Sequence, residues 1–300
     1  MTSDRQRGIA LVSVLWVLML LTLLATSLSL TSRSQGQQSS NIVGAVQARY
    51  LAEAGIQLAL VNQGMTEAQR PWLADGSPYL VPMDGNEIWI AIFNESGLID
   101  LNTAGPALLD GLLRTAGVED HQRAELVDAI QDWRDRDDLR RLNGAEYDDY
   151  RTAARNYGPR DGPFETVEEV RQVLGMTREI YRNIRHSLTV RNPRNGINPL
   201  YAPRQVLLAL PEIDETQVEQ FVENRRSNHE QGLPPPALHV LPRQFLYGGP
   251  PSVNYTIYTE VRMDTGSRYR LSASLRWRHG QPELEQITRE KVPLFAKPDS

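Results

Sequence analysis

The sequence contains no cysteine, so no disulfide can staple the fold and no thiol can act as nucleophile or metal ligand. Its five histidines, His121, His186, His229, His239 and His279, are dispersed over 300 residues and form no H-E-x-x-H pair. A G-x-S-x-G elbow and a phosphate-cradling P-loop are also missing. These catalytic constellations are thus missing, the chain is expected not to be an enzyme, and each histidine is expected at a surface or an interface. A formal net charge of -5 makes nucleic acid a poor partner in the absence of a local basic patch. What is present, 40% hydrophobic residues and a mean hydropathy of -0.43, suits an exported protein of mixed structure. Without disulfides the soluble part must rest on ordinary cores, and about 240 residues suffice for one large core or two small ones.

Charge is missing altogether from Gly8 to Ser32, and Ile9 to Leu30 is a 22-residue span. Such a helix crosses a hydrocarbon core of about 30 Å. Arg5 and Arg7 on the N-terminal flank argue that this end stays cytoplasmic, so the remaining residues are expected on the far side of the membrane. A secretory signal peptide fits less well, since its apolar core is usually about 7 to 15 residues. Here Ala25-Thr26-Ser27 is followed by more leucine rather than by an A-x-A boundary. The basic start, Gly8 and then Ile9-Ala10-Leu11-Val12-Ser13-Val14 resemble a type IV prepilin-like leader. That resemblance implies cleavage between Gly8 and Ile9 by a prepilin peptidase and methylation of the new N-terminus at Ile9. Loss of Met1 to Gly8 removes Asp4, Arg5 and Arg7, a net +1, and leaves -6.

Beyond the apolar span, Val43, Val46, Tyr50, Leu58 and Val61 recur at helical spacing, which predicts one long helix from Ile9 to Gln63 ended by Gly64. Arg70 to Gly85, with three prolines, reads as an irregular connection. Ile88, Ile90 and Ile92 alternate with Trp89, Ala91 and Phe93 as a strand. Val253 to Arg262, Arg268 to Trp277 and Glu283 to Lys291 read as an antiparallel meander divided by Asp264-Thr265-Gly266-Ser267 and His279-Gly280-Gln281-Pro282.

The stretch from about Leu98 to Gly249 reads as helical hairpins with an internal echo. Ile99-Asp100-Leu101-Asn102-Thr103-Ala104 introduces one, turning at Ala116-Gly117-Val118, and Ile197-Asn198-Pro199-Leu200-Tyr201-Ala202 introduces another, turning at Pro211-Glu212-Ile213. A third runs from Thr166 to Leu188 around Gly175, and the Pro234-Pro235-Pro236 run is a rigid connection. The hairpins resemble helix-hairpin-helix units, which elsewhere bind DNA phosphate. Here the turns carry Glu119 and Asp120, and Glu212, Asp214 and Glu215, where phosphate would approach, so a protein-interaction platform is the better reading.

Seven carboxylates fall within the eighteen residues from Asp132 to Asp149. Oxygen-rich, glycine-broken segments suit calcium, although Leu139 stands where an EF-hand would place a third ligand. The alternative is a solvated helix end with i,i+4 pairs Asp132–Arg136 and Asp137–Arg141, each adding about 0.2–0.5 kcal/mol.

Most prepilin-like subunits carry glutamate at the fifth mature position, where this chain has Ser13. That glutamate is thought to pair with a neighbour's N-terminal ammonium, and its loss is expected in the tip subunit, which docks onto no earlier ammonium. The pseudopilin family lacking it is the type II secretion minor pseudopilin GspK family, which the chain resembles over almost its whole length. The resemblance implies an α+β, pilin-like fold: a long N-terminal helix and antiparallel sheet with a large inserted all-α domain of helix-hairpin-helix-like repeats. The expected division is 1–8 prepilin leader, 9–31 transmembrane helix, 32–97 pilin-like helix and first strand, 98–249 inserted helical domain, and 250–300 C-terminal strands.

It further implies a calcium loop with Asp135, Asp137, Glu146, Asp148 and Asp149 as ligands, joined less firmly by Asp132 and Asp138. The implied partners are the minor pseudopilins GspI and GspJ, with GspH, the prepilin peptidase, the inner membrane and secreted cargo, but no nucleic acid. The implied function is to start the pseudopilus at its tip and support export across the outer membrane. A minor component of a type IV pilus or competence system is the nearest alternative, and a membrane-tethered DNA receptor is the alternative from another class.

Overall fold

A computed structural model describes residues 4–192, 194, 196–237, 241–291 and 294; for 4–11, 28–41 and 68 it describes the backbone alone. The apolar run and the amphipathic run form one helix, α1 (Asp4–Gly64), about 90 Å long at 1.5 Å per residue. Among the described residues, no helix is long and apolar enough to cross a membrane. In the apolar half of α1 the described side chains are those of residues 12–27, all of them exposed.

Arg70 to Gly85, expected to be irregular, instead contains a strand, β1 (Asp75–Met83), paired antiparallel with β2 (Asn86–Asn94). Tyr79, Val81 and Met83 are half-buried while Pro78, Leu80 and Pro82 are exposed, so a two-residue period was there, disguised by the prolines. β1 is an edge strand, where proline is tolerated. Asp84 (φ 49°) and Gly85 (φ 78°) form the tight turn between the strands, as Asp-Gly favours.

The meander follows as β5 (Asn254–Arg262), β6 (Arg268–Arg278) and β7 (Gln281–Arg289), after two short strands, β3 (Ile99–Asp100) and β4 (Leu188–Thr189), that pair parallel to one another. The large sheet runs β1-β2-β5-β6-β7, antiparallel throughout. Its neighbours β2 and β5 enclose everything between Asn94 and Asn254. Asn94 binds the two ends together: its Oδ1 accepts from Ser96 N (3.1 Å) and Ser252 N (3.0 Å), and its Nδ2 donates to Ser252 O (2.9 Å).

The sheet has a core on each face. On one, Ala48, Ala52, Ile56 and Ala59 of α1 lie on Ile88, Ile90, Ile257, Val261, Leu271, Ala273 and Leu275. Gly55 permits this close approach, since a Cβ there would meet Thr259 Cγ2 at 2.9 Å. On the other face, Ala91, Phe93 and Tyr258 join the core of the helical unit.

That unit contains α2 (Pro106–Thr115), α3 (Asp120–Arg134), α4 (Tyr147–Thr152), α5 (Arg178–Ile184), α6 (Arg204–Leu208) and α7 (Glu215–Glu230). The echo seen in the sequence has a physical counterpart. Asp100 Oδ1 accepts from Asn102 N (2.8 Å) and Asn198 Oδ1 from Leu200 N (3.1 Å), so each hairpin is introduced by the same side-chain turn. α2 packs on α6 so closely at Gly111 that a Cβ would overlap the Ala209 carbonyl. The third hairpin begins with a 3-10 turn (Val167–Gln172) ahead of α5.

Candidate functional site

The acidic segment folds into a corner where α3 ends. α3 stops at Arg134, whose guanidinium donates to the carbonyls of Leu101 and Ala104, the latter at 2.7 Å. Asp137 and Arg141 therefore lie in a loop, and the i,i+4 pattern gives way to longer reaches. Arg141 Nη1 donates to Asp132 Oδ1 at 2.6 Å and also to Asp135 Oδ2. Asp137 Oδ1 accepts from Leu139 N (3.0 Å). Asp149 Oδ2 accepts from Glu146 N (2.9 Å) at the start of α4, and its Oδ1 takes Arg140 (3.1 Å). The Asp148 side chain faces solvent, 3.7 Å from Arg151.

Three acids meet: Asp138, Glu146 and Asp161 each offer a carboxylate oxygen, all within 4.8 Å of one another. Glu146 is among the ligands that the resemblance implies, Asp138 belongs to the same acidic run, and Asp161 lies outside it. It sits in an Arg-Asp-Gly-Pro turn, and its only sequence signal is an acid at a bend. Asp135 lies nearby but faces Arg141, whereas Asp137, Asp148 and Asp149 are engaged in local contacts. Glu146 Oε1 and Asp135 Oδ1 are buried and have no hydrogen-bond partner among the described residues. The floor of the corner is Trp133, 3% exposed, with ring centroids 6.0 Å from Tyr150 and 6.1 Å from Phe164.

Burial first, and then the charges of Asp132, Asp161, Asp135 and Asp138, push the Glu146 carboxyl up to about 7. Burial likewise raises Asp132, and burial followed by Asp138 and Asp135 raises Asp161. The donor set fits a hard divalent cation. Oxygens about 2.4 Å from one ion can be no more than about 4.8 Å apart, and the unpartnered Glu146 Oε1 is a donor that such an ion would satisfy.

A pH dependence follows. With divalent cations chelated, folded Glu146 keeps its proton up to about pH 7, whereas the unfolded side chain releases it near 4.5. Stability from this group is full below the lower value and lost as pH rises through the higher one. The melting temperature in chelator is expected to fall from roughly pH 5.5 to pH 8, with the slope flattened by Glu146→Gln. A melting temperature rising over that range would refute this account of Glu146.

Two other features bear on function. On α1, the side opposite the sheet carries Val43 (53% exposed), Val46 (47%), Tyr50 (66%) and Val61 (60%). The helix thus has two apolar sides, of which this structure covers one. Gly8 and Ile9 lie within the helical backbone of α1, with side chains outside the description, as are Met1 to Ser3 and His239. His186 is half-buried between Phe93 and Tyr258, with centroids at 6.4 and 4.8 Å. Burial, then Arg185, push it down to about 3, so it is a neutral packing group.

Residues 92–193 match the family model described as type II secretion system (T2SS), protein K. The chain is 29% identical over 231 residues to type II secretion system protein K of Klebsiella pneumoniae, covering 69% of this chain and 70% of that protein. It is 28% identical over 242 residues to the protein of the same name from Pseudomonas aeruginosa, covering 73% and 72%. The structure of the GspK-GspI-GspJ complex from the enterotoxigenic Escherichia coli type 2 secretion system matches with a TM-score of 0.53 and 16% identity. That match covers 87% of this chain and 99% of the matched one, and at this identity it shows a shared fold. Sheet, long helix and helical unit, taken with these relatives, define a minor pseudopilin of a type II secretion system. Over residues 92–193 the chain matches the type II secretion system protein K family, and it resembles the proteins of that name over about seven-tenths of its length.

Proposed function

We propose that this chain is the tip subunit of the pseudopilus, starting its assembly with GspI and GspJ, the other proteins named in the matched complex, and with GspH. The observation that carries this reading is the two-sided α1. One side lies on the sheet through small residues, and the opposite side leaves Val43, Val46, Tyr50 and Val61 open for the helices of neighbouring subunits. The helical unit, set on the other face of the sheet, adds bulk that the helix and sheet alone would not have. Helix and sheet together are pilin-like, and the paired hairpins are helix-hairpin-helix-like repeats. Before assembly the uncharged run Ile9 to Leu30, whose side chains are described only from 12 to 27, would cross the inner membrane once, with the sheet and helical unit in the periplasm. Ser13 leaves the tip subunit without an acid to offer a preceding ammonium.

Processing is the direct test. The intact mass of the chain from cells with prepilin peptidase is expected to lack Met1 to Gly8 and to carry one added methyl at Ile9; cells without the peptidase should retain the full chain. An uncut chain in both would end the pseudopilin reading of the leader.

A second reading concerns calcium, on the strength of the buried, unpartnered Glu146 Oε1 facing two further acids. Asp138, Glu146 and Asp161 would hold the ion, with Asp135 at its edge. Bound there, calcium supplies fixed positive charge that ties the loop after α3 to the turn at Asp161. Calcium is expected to raise the melting temperature and to flatten the pH slope, because the ion replaces the proton on Glu146. If the melt is the same in calcium and in chelator, the reading fails.

A further inference from the structure

We propose that Arg141 is the permanent cation of the acidic corner, neutralising its inner acids so that the outer trio is left as the one place for a divalent ion. This rests on the calcium reading above, and adds to it a division of the corner into two compartments.

The inner compartment is Asp132 and Asp135. Asp132 is fully buried, and both its oxygens are served by Arg141: Oδ1 by Nη1 at 2.6 Å and Oδ2 by the backbone N at 3.3 Å. The same Nη1 reaches Asp135 Oδ2, so one guanidinium nitrogen bridges two carboxylates, as a metal ion would. Closure is tight. Gly144 N donates to Arg141 O (3.2 Å), and a Cβ on Gly144 would overlap Asp132 Oδ2, so the 141–144 turn seals this carboxylate from above.

The outer compartment is Asp138, Glu146 and Asp161, which each offer a carboxylate oxygen, all within 4.8 Å of one another. Asp135 links the two, since its second oxygen is buried and unpartnered while its first faces Arg141. A permanent positive charge inside lets the corner fold before any ion arrives. It also lowers the negative potential that would draw in a second ion. The guanidinium suits this role because it stays protonated and presents its donors in a fixed fork.

The test uses the full chain in detergent micelles, with calcium as the only added ion. Wild type is expected to bind one calcium per chain by native mass spectrometry and titration calorimetry. Asp138→Asn should lose that ion and melt in chelator within a degree or two of wild type. Arg141→Gln should melt about 10 °C lower in chelator, as Asp132 is left buried without its cation, and should take up a second calcium that recovers most of the loss. Arg141→Lys, which keeps the charge, should fall between the two and bind one ion.

An Arg141→Gln chain that melts like wild type in chelator overturns the proposal, whatever the metal does. Two calcium ions in wild type overturn it too, while leaving the calcium reading intact. No calcium in wild type, with Arg141→Gln still destabilised in chelator, instead removes the calcium reading and supports the arginine as the inner acids' cation.

Discussion

Arg225→Met in the full chain is expected to lose about 3–5 kcal/mol of stability. Arg225 leaves α7 fully enclosed, with 4% of its side chain exposed, and donates to Pro199 O (2.7 Å), Ala202 O (2.8 Å) and Asp75 Oδ2 (2.6 Å). One side chain therefore joins α7, the loop that introduces the second hairpin, and the first residue of β1. Burial lowers the pKa of the guanidinium, and Asp75 counters that shift. Burial, followed by the Asp75 charge, also pushes the nearby Tyr79 hydroxyl up to about 12, so the tyrosine stays neutral.

Removing the arginine leaves Asp75 as an uncompensated buried charge and two carbonyls without donors. Removing both charges, as in Asp75→Asn with Arg225→Met, should recover more than half of the loss, because a buried ion pair gains little over a well-packed neutral one. Denaturant melts of the two single variants and the double variant measure this cycle. A single-variant loss under about 1 kcal/mol would show that the contact does not hold the two units together.

Trp133→Ala is expected to cost about 3–5 kcal/mol and to abolish the stabilisation by calcium. Trp133 stands at the end of α3 between the rings of Tyr150 and Phe164, with Tyr157 edge-on at 6.4 Å. Tyr150 in turn fixes the next loop, its hydroxyl accepting from Leu174 N at 3.0 Å. The acids of the corner come from the end of α3 and the loop after it, the α4 start and the turn at Asp161, and the rings of Trp133, Tyr150, Tyr157 and Phe164 join the neighbouring residues of these segments. Losing the indole leaves a cavity and frees the three segments from each other, so the carboxylates should no longer converge. Trp133→Phe keeps most of the volume and is expected to cost under about 1.5 kcal/mol and to retain the calcium response. Equal calcium-induced shifts in wild type and Trp133→Ala would mean that the ion site does not depend on this floor.

Much of this architecture was legible because it is local. The three- and four-residue steps from Val43 to Val61 and the alternation from Ile88 to Phe93 are properties of neighbouring residues, and the turns at Gly117, Gly266 and Gly280 mark the breaks between elements. β1 was missed because Pro78 and Pro82 read as breakers, and nothing near them says that this strand lies at an edge. The corner was half legible: a dense run of acids marked the loop that folds into it and included Glu146. Asp161 comes from a turn beyond α4, and Arg141 reverses from its i−4 neighbour Asp137 to Asp132 and Asp135. Those choices depend on where α3 stops, a boundary that residue spacing does not set. Arg225 and Asp75 are 150 residues apart, and a pair that distant leaves no periodic trace.

The stitch at Asn94 bears on the order in which this chain can fold. Asn94 and Ser252 are 158 residues apart, so joining β2 to β5 from an open coil would cost about 4.5 kcal/mol in loop entropy before any strand hydrogen bond forms. Collapse of the intervening helices, whose contacts are shorter in sequence, removes most of that cost by bringing the two ends side by side. The central seam of the sheet, and with it the finished bed for α1, therefore closes late. On this order a newly made chain holds its long helix over an incomplete sheet until the helical unit has formed, so a misfolded helical unit would leave α1 without its finished bed.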